Sequence, residues 1–239
     1  MSLLDGKDPE PHFIRYRFAR SKRRTIGLTV DASGLSVRAP YRVPRREIEA
    51  VLHEKRHWIV SRLKKWSVVP PPPTVDGSSG EVLPLFGEPV TLHLLDGRPS
   101  VDRNGACVVV STPLPRRAGI VLELLLGWLK QQALAALAPR VVHFAARLGL
   151  APPPVSLSRA RRQWGACTES GAIRLNWRLV HLPPALADCV VAHEVAHLVE
   201  LNHSNRFVNL IGTLYPDWRY ARGQIELAGV VVPQFQEPE

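Results

Sequence analysis

The sequence predicts an α+β protein: a small N-terminal β-sheet with one helix, then a mainly helical C-terminal domain holding a short antiparallel sheet. Three observations predict it. Apolar residues alternate in short runs between residues 13 and 110, as half-exposed strands require. From Gly119 they recur at helical spacing in a Leu- and Ala-rich texture. Hydrophobic residues make up 45% of the 239 positions against 22% charged, enough to bury a core, which excludes a wholly disordered chain.

The elements follow in order. Residues 1–11 are polar with two prolines and read as a flexible tail. Phe13 to Phe18 alternates as a strand. Thr25 to Val30 and Leu35 to Ala39 flank a turn at Asp31-Ala32-Ser33-Gly34, which predicts a hairpin. Pro44 opens one long helix to about Trp66, because Ile48, Val51, Leu52, Trp58, Ile59 and Leu63 lie mostly on one face. Four prolines at 70–73 and the Gly/Ser segment after them mark a linker at 67–81. Pro89–Leu94 and Ala106–Val110 are further strands, expected to continue the first sheet, so the N-terminal β-rich region spans 12–115. The second domain spans 116–232. It opens with a helix from Ile120 to Leu150 that Pro139 should kink or divide. Strands follow at Val155–Ser158 and Ile173–Trp177, and Pro183-Pro184 starts a helix through about Leu201. Residues 233–239 read as a second tail.

Charge and cysteines bound the surroundings. Thirty-one Lys+Arg against 21 Asp+Glu give a net +10, and arginine dominates the cations. Such a surface draws nucleotides or nucleic acid, or reflects compositional bias alone. Arg15, Arg17, Arg20, Lys22, Arg23 and Arg24 crowd one segment. They read first as charge protecting a strand edge, with nucleic-acid binding as the rival. The apolar stretch Ala118–Leu129 is broken by Glu123 and is too short to span a bilayer, so no membrane partner is expected. Three scattered cysteines and an N-terminus without a secretory pattern favour a reducing, cytoplasmic location. Oligomeric state is not legible.

One segment carries chemistry: His193-Glu194-Val195-Ala196-His197, with His203 six residues further on. Residues four apart on a helix lie about 40° from each other around the axis, so His193 and His197 can reach one metal ion. Glu194 sits beside the first ligand without being one, as a general base must. His203 supplies a third ligand if the chain bends back, with Asn202 taking the left-handed conformation. Three histidines with an open position suit one Zn2+, although another divalent transition metal could occupy them. Glu200 is a further ligand, a supporting partner or a solvated residue.

Around this motif the chain resembles the YgjP-like metallopeptidase family of predicted metal-dependent hydrolases, in the zincin group. The resemblance rests on Gln163-Trp164-Gly165-Ala166-Cys167, Ile173-Arg174-Leu175-Asn176-Trp177-Arg178-Leu179, His193–Leu198, Asn202-His203-Ser204, Phe207 and Pro216-Asp217-Trp218. Arg38-Ala39-Pro40 and Lys55-Arg56-His57-Trp58-Ile59 add to it. Gln163, Ala166, Cys189 and Val208 depart from the family pattern without removing a ligand. The histidine spacing is also similar to that of SprT-like proteases. The resemblance implies a zincin-like catalytic domain, with His193, His197 and His203 as zinc ligands and Glu194 as general base for a metal-activated water. It implies a protein or peptide substrate, with Ala172–Trp177 as the sheet edge that pairs with it. Trp164, Arg174, Asn176 and Trp177 are the candidate substrate contacts. Two other functions stay open: a metal-dependent nucleotide or phosphoester hydrolase, and a basic nucleic-acid-associated module with a structural metal.

Overall fold

The computed structural model describes residues 14–31, 34–67, 72–160, 163–229 and 232–236. They fall into two compact units, one up to Pro71 and one from Pro72. The tail expected at 1–11 lies outside the described residues.

The first unit is a three-stranded sheet with two helices. Strands β1 (Tyr16–Ser21), β2 (Gly27–Asp31) and β3 (Gly34–Pro40) lie in the order β1-β3-β2. The expected hairpin is β2–β3, antiparallel with Val30 opposite Leu35 and Leu28 opposite Val37. Strand β1 starts three residues later than expected and runs parallel to β3. Leu35, Val37 and Ala39 alternate onto one face, where they bury Ile48 of α1 (Arg45–Glu54) and Ile59 of α2 (Arg56–Ser67). The single long helix expected here is interrupted at Lys55, a break no Pro or Gly marks. The Arg20 guanidinium donates to the carbonyls of Pro40, Tyr41 and Val43, tying the end of β1 to the β3–α1 loop.

The second unit is larger. Strands β4 (Thr74–Val75), β5 (Val82–Leu85), β6 (Glu88–Asp96), β7 (Ser100–Asn104) and β8 (Cys107–Thr112) precede α3 (Ala118–Arg147). The last four of these strands form a sheet in the order β5-β6-β8-β7, with β6 and β8 parallel. Val90, Leu92, Val108 and Val110 alternate onto its buried face and share one core with α3. These strands therefore do not continue the first sheet, and the boundary expected at 115 falls after Pro71. Apolar burial decides this: the face of β6 and β8 is covered by helix α3.

In α3 the buried residues Val121, Leu125, Leu129, Ala133, Leu137, Val141 and Ala145 recur every four positions. Pro139 lies inside the helix without dividing it. Burial of Leu137 and Val141 on either side outweighs the loss of one backbone hydrogen bond. The helix is long and apolar enough to cross a membrane by length and composition, yet its stripe is spent on this core.

After α3 come β9 (Val155–Ser158), β10 (Gly165–Cys167), β11 (Ile173–Asn176), a 3-10 turn at Trp177–His181, and α4 (Pro184–Ala196). Helices α5 (Asn205–Leu214) and α6 (Trp218–Ala228) and strand β12 (Gln234–Phe235) close the chain. The short sheet is mixed, not wholly antiparallel: β11 is central, antiparallel to β10 and parallel to β9. Pro184 opens α4 at the expected place. After the exposed Pro184 and Ala185 this helix is largely buried, with α3, α5, α6, β10 and β11 packed around it. The β5–β6 turn docks beside its start. Phe86 and Gly87 both have positive φ, and a Cβ on Gly87 would lie 2.9 Å from Pro183. Residues 72–81 of the expected linker and 233–236 of the expected tail belong to the second unit. Val75 is buried, and β4 pairs in parallel with β12.

His181 sits under this pair, its ring 5.6 Å from Trp177 and stacked 5.9 Å from Phe235. Its Nδ1 donates to the Pro84 carbonyl at 2.7 Å, and its Nε2 is buried without a hydrogen bond. Burial pushes its pKa down to about 4, helped by the Arg178 charge and opposed by the Pro84 bond. Folding therefore favours the neutral ring. Between its ordinary pKa of 6.5 and about 4 the unfolded chain binds the extra proton, so stability falls as pH falls through that window. The expected loss from this ring is about 3 kcal/mol. Urea unfolding across that range should show a slope that His181→Gln reduces, and an NMR titration should place this imidazole near 4. A ring titrating at 6.5 would refute the assignment.

Candidate metal centre

His193 and Glu194 lie on the last turn of α4, and His197 follows it with helical backbone, φ −67° and ψ −16°. The four-residue spacing therefore holds, and the two rings lie 4.9 Å apart between centroids. The chain then turns tightly: the Leu198 and Val199 N–H groups donate to the carbonyls of Val195 and Ala196. Asn202 is not left-handed as expected, since among the described residues Phe86 is the one non-glycine with positive φ. Short-range bonds make the bend instead, ending with Ser204 N–H on the Asn202 carbonyl. Ser204 caps α5 by accepting the Phe207 N–H, which sets His203 just ahead of that helix.

His203 meets both partners, with ring centroids 5.0 Å from His193 and 4.8 Å from His197. One ligand atom from each of the three rings lies within 4.8 Å of the others. The Nε2 atoms of His193 and His203 are 3.0 Å apart. Two imidazole nitrogens on one tetrahedral zinc ion lie about 3.3 Å apart, so this donor set fits such an ion. His197 Nδ1 lies 3.0 Å from the Glu200 carbonyl. A carbonyl only accepts, so Nδ1 carries the proton and Nε2 keeps the lone pair that a metal needs. Glu200 thus enters through its main chain, while its carboxylate lies 3.9 Å from Arg206. The buried Phe207 ring touches all three imidazoles, 4.9, 4.6 and 4.7 Å from His193, His197 and His203. Burial pushes the pKa of His193 down to about 4, reinforced by His197, His203 and Arg222. His203 is lowered by burial, His197 and Arg222. Neutral rings are what metal ligation requires.

Glu194 is 7% exposed. Burial pushes its carboxyl up to about 7, partly offset by the Cys167 backbone N–H that it accepts. A cation among the histidines would draw that value down again. Gly165 makes room for the side chain: a Cβ there would lie 2.5 Å from Glu194 Cγ. Both come from β10, the edge of its sheet among the described residues. Asn176 N–H donates to the Trp164 carbonyl and Thr168 N–H to the Ala172 carbonyl. By antiparallel alternation the peptide groups of Gly165 and Cys167 therefore turn away from β11, toward Glu194.

A cleft of about 760 Å³ opens over these groups, lined by Trp164, Gly165, His193, Glu194 and His203. Its walls are mainly apolar, from Val190, Phe207, Val208, Ile211, Trp218 and Ile225, with Arg222 as the one cation among the described lining residues. A model of the YgjP-like metallopeptidase domain matches residues 24–227.

The chain belongs to the YgjP-like metallopeptidase family.

Membership makes it a metal-dependent hydrolase of the metallopeptidase class. No curated protein and no solved structure matches the chain. Within this YgjP-like chain the sequence candidates separate. His193, Glu194, His203 and Trp164 line the cleft, and His197 joins its histidine partners. Arg174, Asn176 and Trp177 do not line it. Arg174 lies on the exposed face of β11. Asn176 spends its side chain on the carbonyls of Ala160 and Gln163 and on the Arg178 N–H. Trp177 is buried against His181 and Phe235. The edge strand expected at Ala172–Trp177 is the centre of the sheet, because β9 and β10 take both its sides. Gly165 and Phe207 stand in segments that carry the family resemblance, but their roles at the site are not legible in the sequence; Arg222 stands in no motif.

Proposed function

We propose that this chain is a zinc-dependent peptidase in which Glu194 acts as general base. The observation that supports it is the edge of β10, unpaired by another strand among the described residues, which sets Gly165 beside Glu194, His193 and His203 in one mainly apolar cleft. An extended peptide pairs with such an edge through main-chain hydrogen bonds, here at Gly165, and its side chains enter the apolar wall. His193, His197 and His203 would hold the ion, which supplies Lewis-acid activation of water and carbonyl when bound. The Cys167 N–H orients one Glu194 oxygen, leaving the carboxylate to take a proton from the attacking water and hand it to the departing amine. Arg222 places positive charge where the attacked carbonyl becomes anionic. Trp164 walls the cleft and is the substrate contact retained from the sequence.

Phosphoester hydrolysis fits the cleft less well, since a polyphosphate calls for several cations and the described lining offers Arg222. The test is a substrate screen with zinc-loaded protein: unfolded casein and mixed peptides on one side, nucleoside triphosphates on the other. We expect peptide cleavage, with apolar residues preferred beside the scissile bond, that chelation abolishes and zinc restores. Phosphate release from the nucleotides without peptide cleavage would overturn the reading.

A further inference from the structure

The net charge of +10 is not spread over the chain. The first unit, residues 1–71, holds 16 Lys+Arg against 7 Asp+Glu, whereas residues 72–239 hold 15 against 14. The unit without the metal centre therefore carries nearly the whole excess. Its cations gather on and after β1: Arg15, Arg17, Lys22, Arg23 and Arg24 are exposed.

Strand β1 also exposes aromatic rings. Tyr16, Phe18 and Arg20 share the side of the sheet that Leu35, Val37 and Ala39 bury in β3. Helix α2 packs on β2 and β3, and Tyr16 and Phe18 remain outside the core that it covers, 36% and 46% exposed. The Arg20 guanidinium lies 5.2 Å over the Phe18 ring. Protection of a strand edge explains the charges, since cations repel a second strand. It does not explain two solvated rings on the adjoining face. A second copy of this chain is disfavoured there, because pairing β1 with itself would set these arginines against one another.

We propose that β1 of the first unit binds single-stranded nucleic acid, with Arg and Lys on the phosphates and Tyr16 and Phe18 stacking on bases. Two rings on alternate residues stand about 7 Å apart along the strand, room for one base each. A duplex hides its base faces, so the exposed rings favour an unpaired strand. Residues 15–23 precede the span matched by the family model, so the strip is a feature of this chain beyond that match. The inference does not depend on the hydrolase reading.

Anisotropy of a fluorescein-labelled 20-nucleotide oligothymidine, titrated with the full-length protein, tests it. With four phosphates neutralised, affinity should fall roughly fiftyfold between 50 and 200 mM salt. Tyr16→Ala with Phe18→Ala should weaken binding about tenfold at fixed salt with an unchanged melting temperature, while Phe18→Trp restores it. Arg15→Glu with Arg24→Glu should also flatten the salt dependence, and Glu194→Gln should bind like the wild type. Absence of binding would overturn the proposal. So would equal affinity in the double alanine variant, tighter binding of a 20-base-pair duplex, or tighter binding of phosphatidylserine vesicles.

Discussion

Glu194→Gln should lower kcat on a cleaved peptide by a factor on the order of 10³–10⁴ while leaving zinc content and melting temperature unchanged. Gln has the same shape, and its carbonyl oxygen can still accept the Cys167 N–H that Glu194 accepts. It cannot take a proton, so what is lost is the proton transfer, worth factors of this size. Burial disfavours a charge at this position, and the substitution removes that charge, so the fold has no reason to suffer. The same step can be attacked from β10. A methyl at residue 165 would lie 2.5 to 2.8 Å from Glu194 Cγ, Oε1 and Cδ, against a side chain already held by the Cys167 N–H of the same strand. Gly165→Ala should therefore cost at least about tenfold in kcat by displacing the carboxylate. It should cost nothing further in the Glu194→Gln background, because both changes remove one function. Full activity in Glu194→Gln would remove Glu194 from the chemistry. Additive losses in the double variant would mean that Gly165 acts by another route.

What was legible in the sequence follows from what a pattern can encode. Histidines four apart on an apolar helix announce themselves, because a helical period fixes where they point, and α4 begins at the proline that marked it. Strands β2, β3, β6 and β8 alternate strongly and were read. Strand β7 was not, since Ser100–Asn104 is a polar edge that buries no side chain fully and pairs with β8 alone. Strand β5 was hidden by Pro84. Three residues, Gly165 to Cys167, are too few to show any period, yet they form an edge of the sheet among the described residues and contact Glu194. Without them, Ala172–Trp177 looks like the edge. The division after Pro71, expected at 115, is hidden likewise, because alternation reports which residues are buried and not which helix buries them. Strands β6 and β8 differ from β3 in partner rather than in pattern.

His203→Ala should weaken zinc binding by at least about a hundredfold, more than the loss expected when a mere supporting partner of a ligand is removed. No helical period delivers this histidine, which lies beyond α4 and its cap His197; the turn after His197 and the Ser204 cap do. It is exposed, so its truncation should change the melting temperature of the metal-free protein little. Glu200→Ala is the discriminating companion. The Glu200 carboxylate was a candidate further ligand, but this residue serves His197 through its backbone carbonyl, which alanine retains. Titration calorimetry with Zn2+ should give near wild-type affinity for Glu200→Ala and a collapse for His203→Ala. The reverse order would move the third ligand to Glu200. With His203 gone, two nitrogens from one helix remain, and a pair at that spacing cannot by itself enclose an ion that prefers four ligands. Peptidase activity should then return only at zinc concentrations high enough to fill the weakened site. Activity that stays absent at saturating zinc would show that His203 also acts on the substrate.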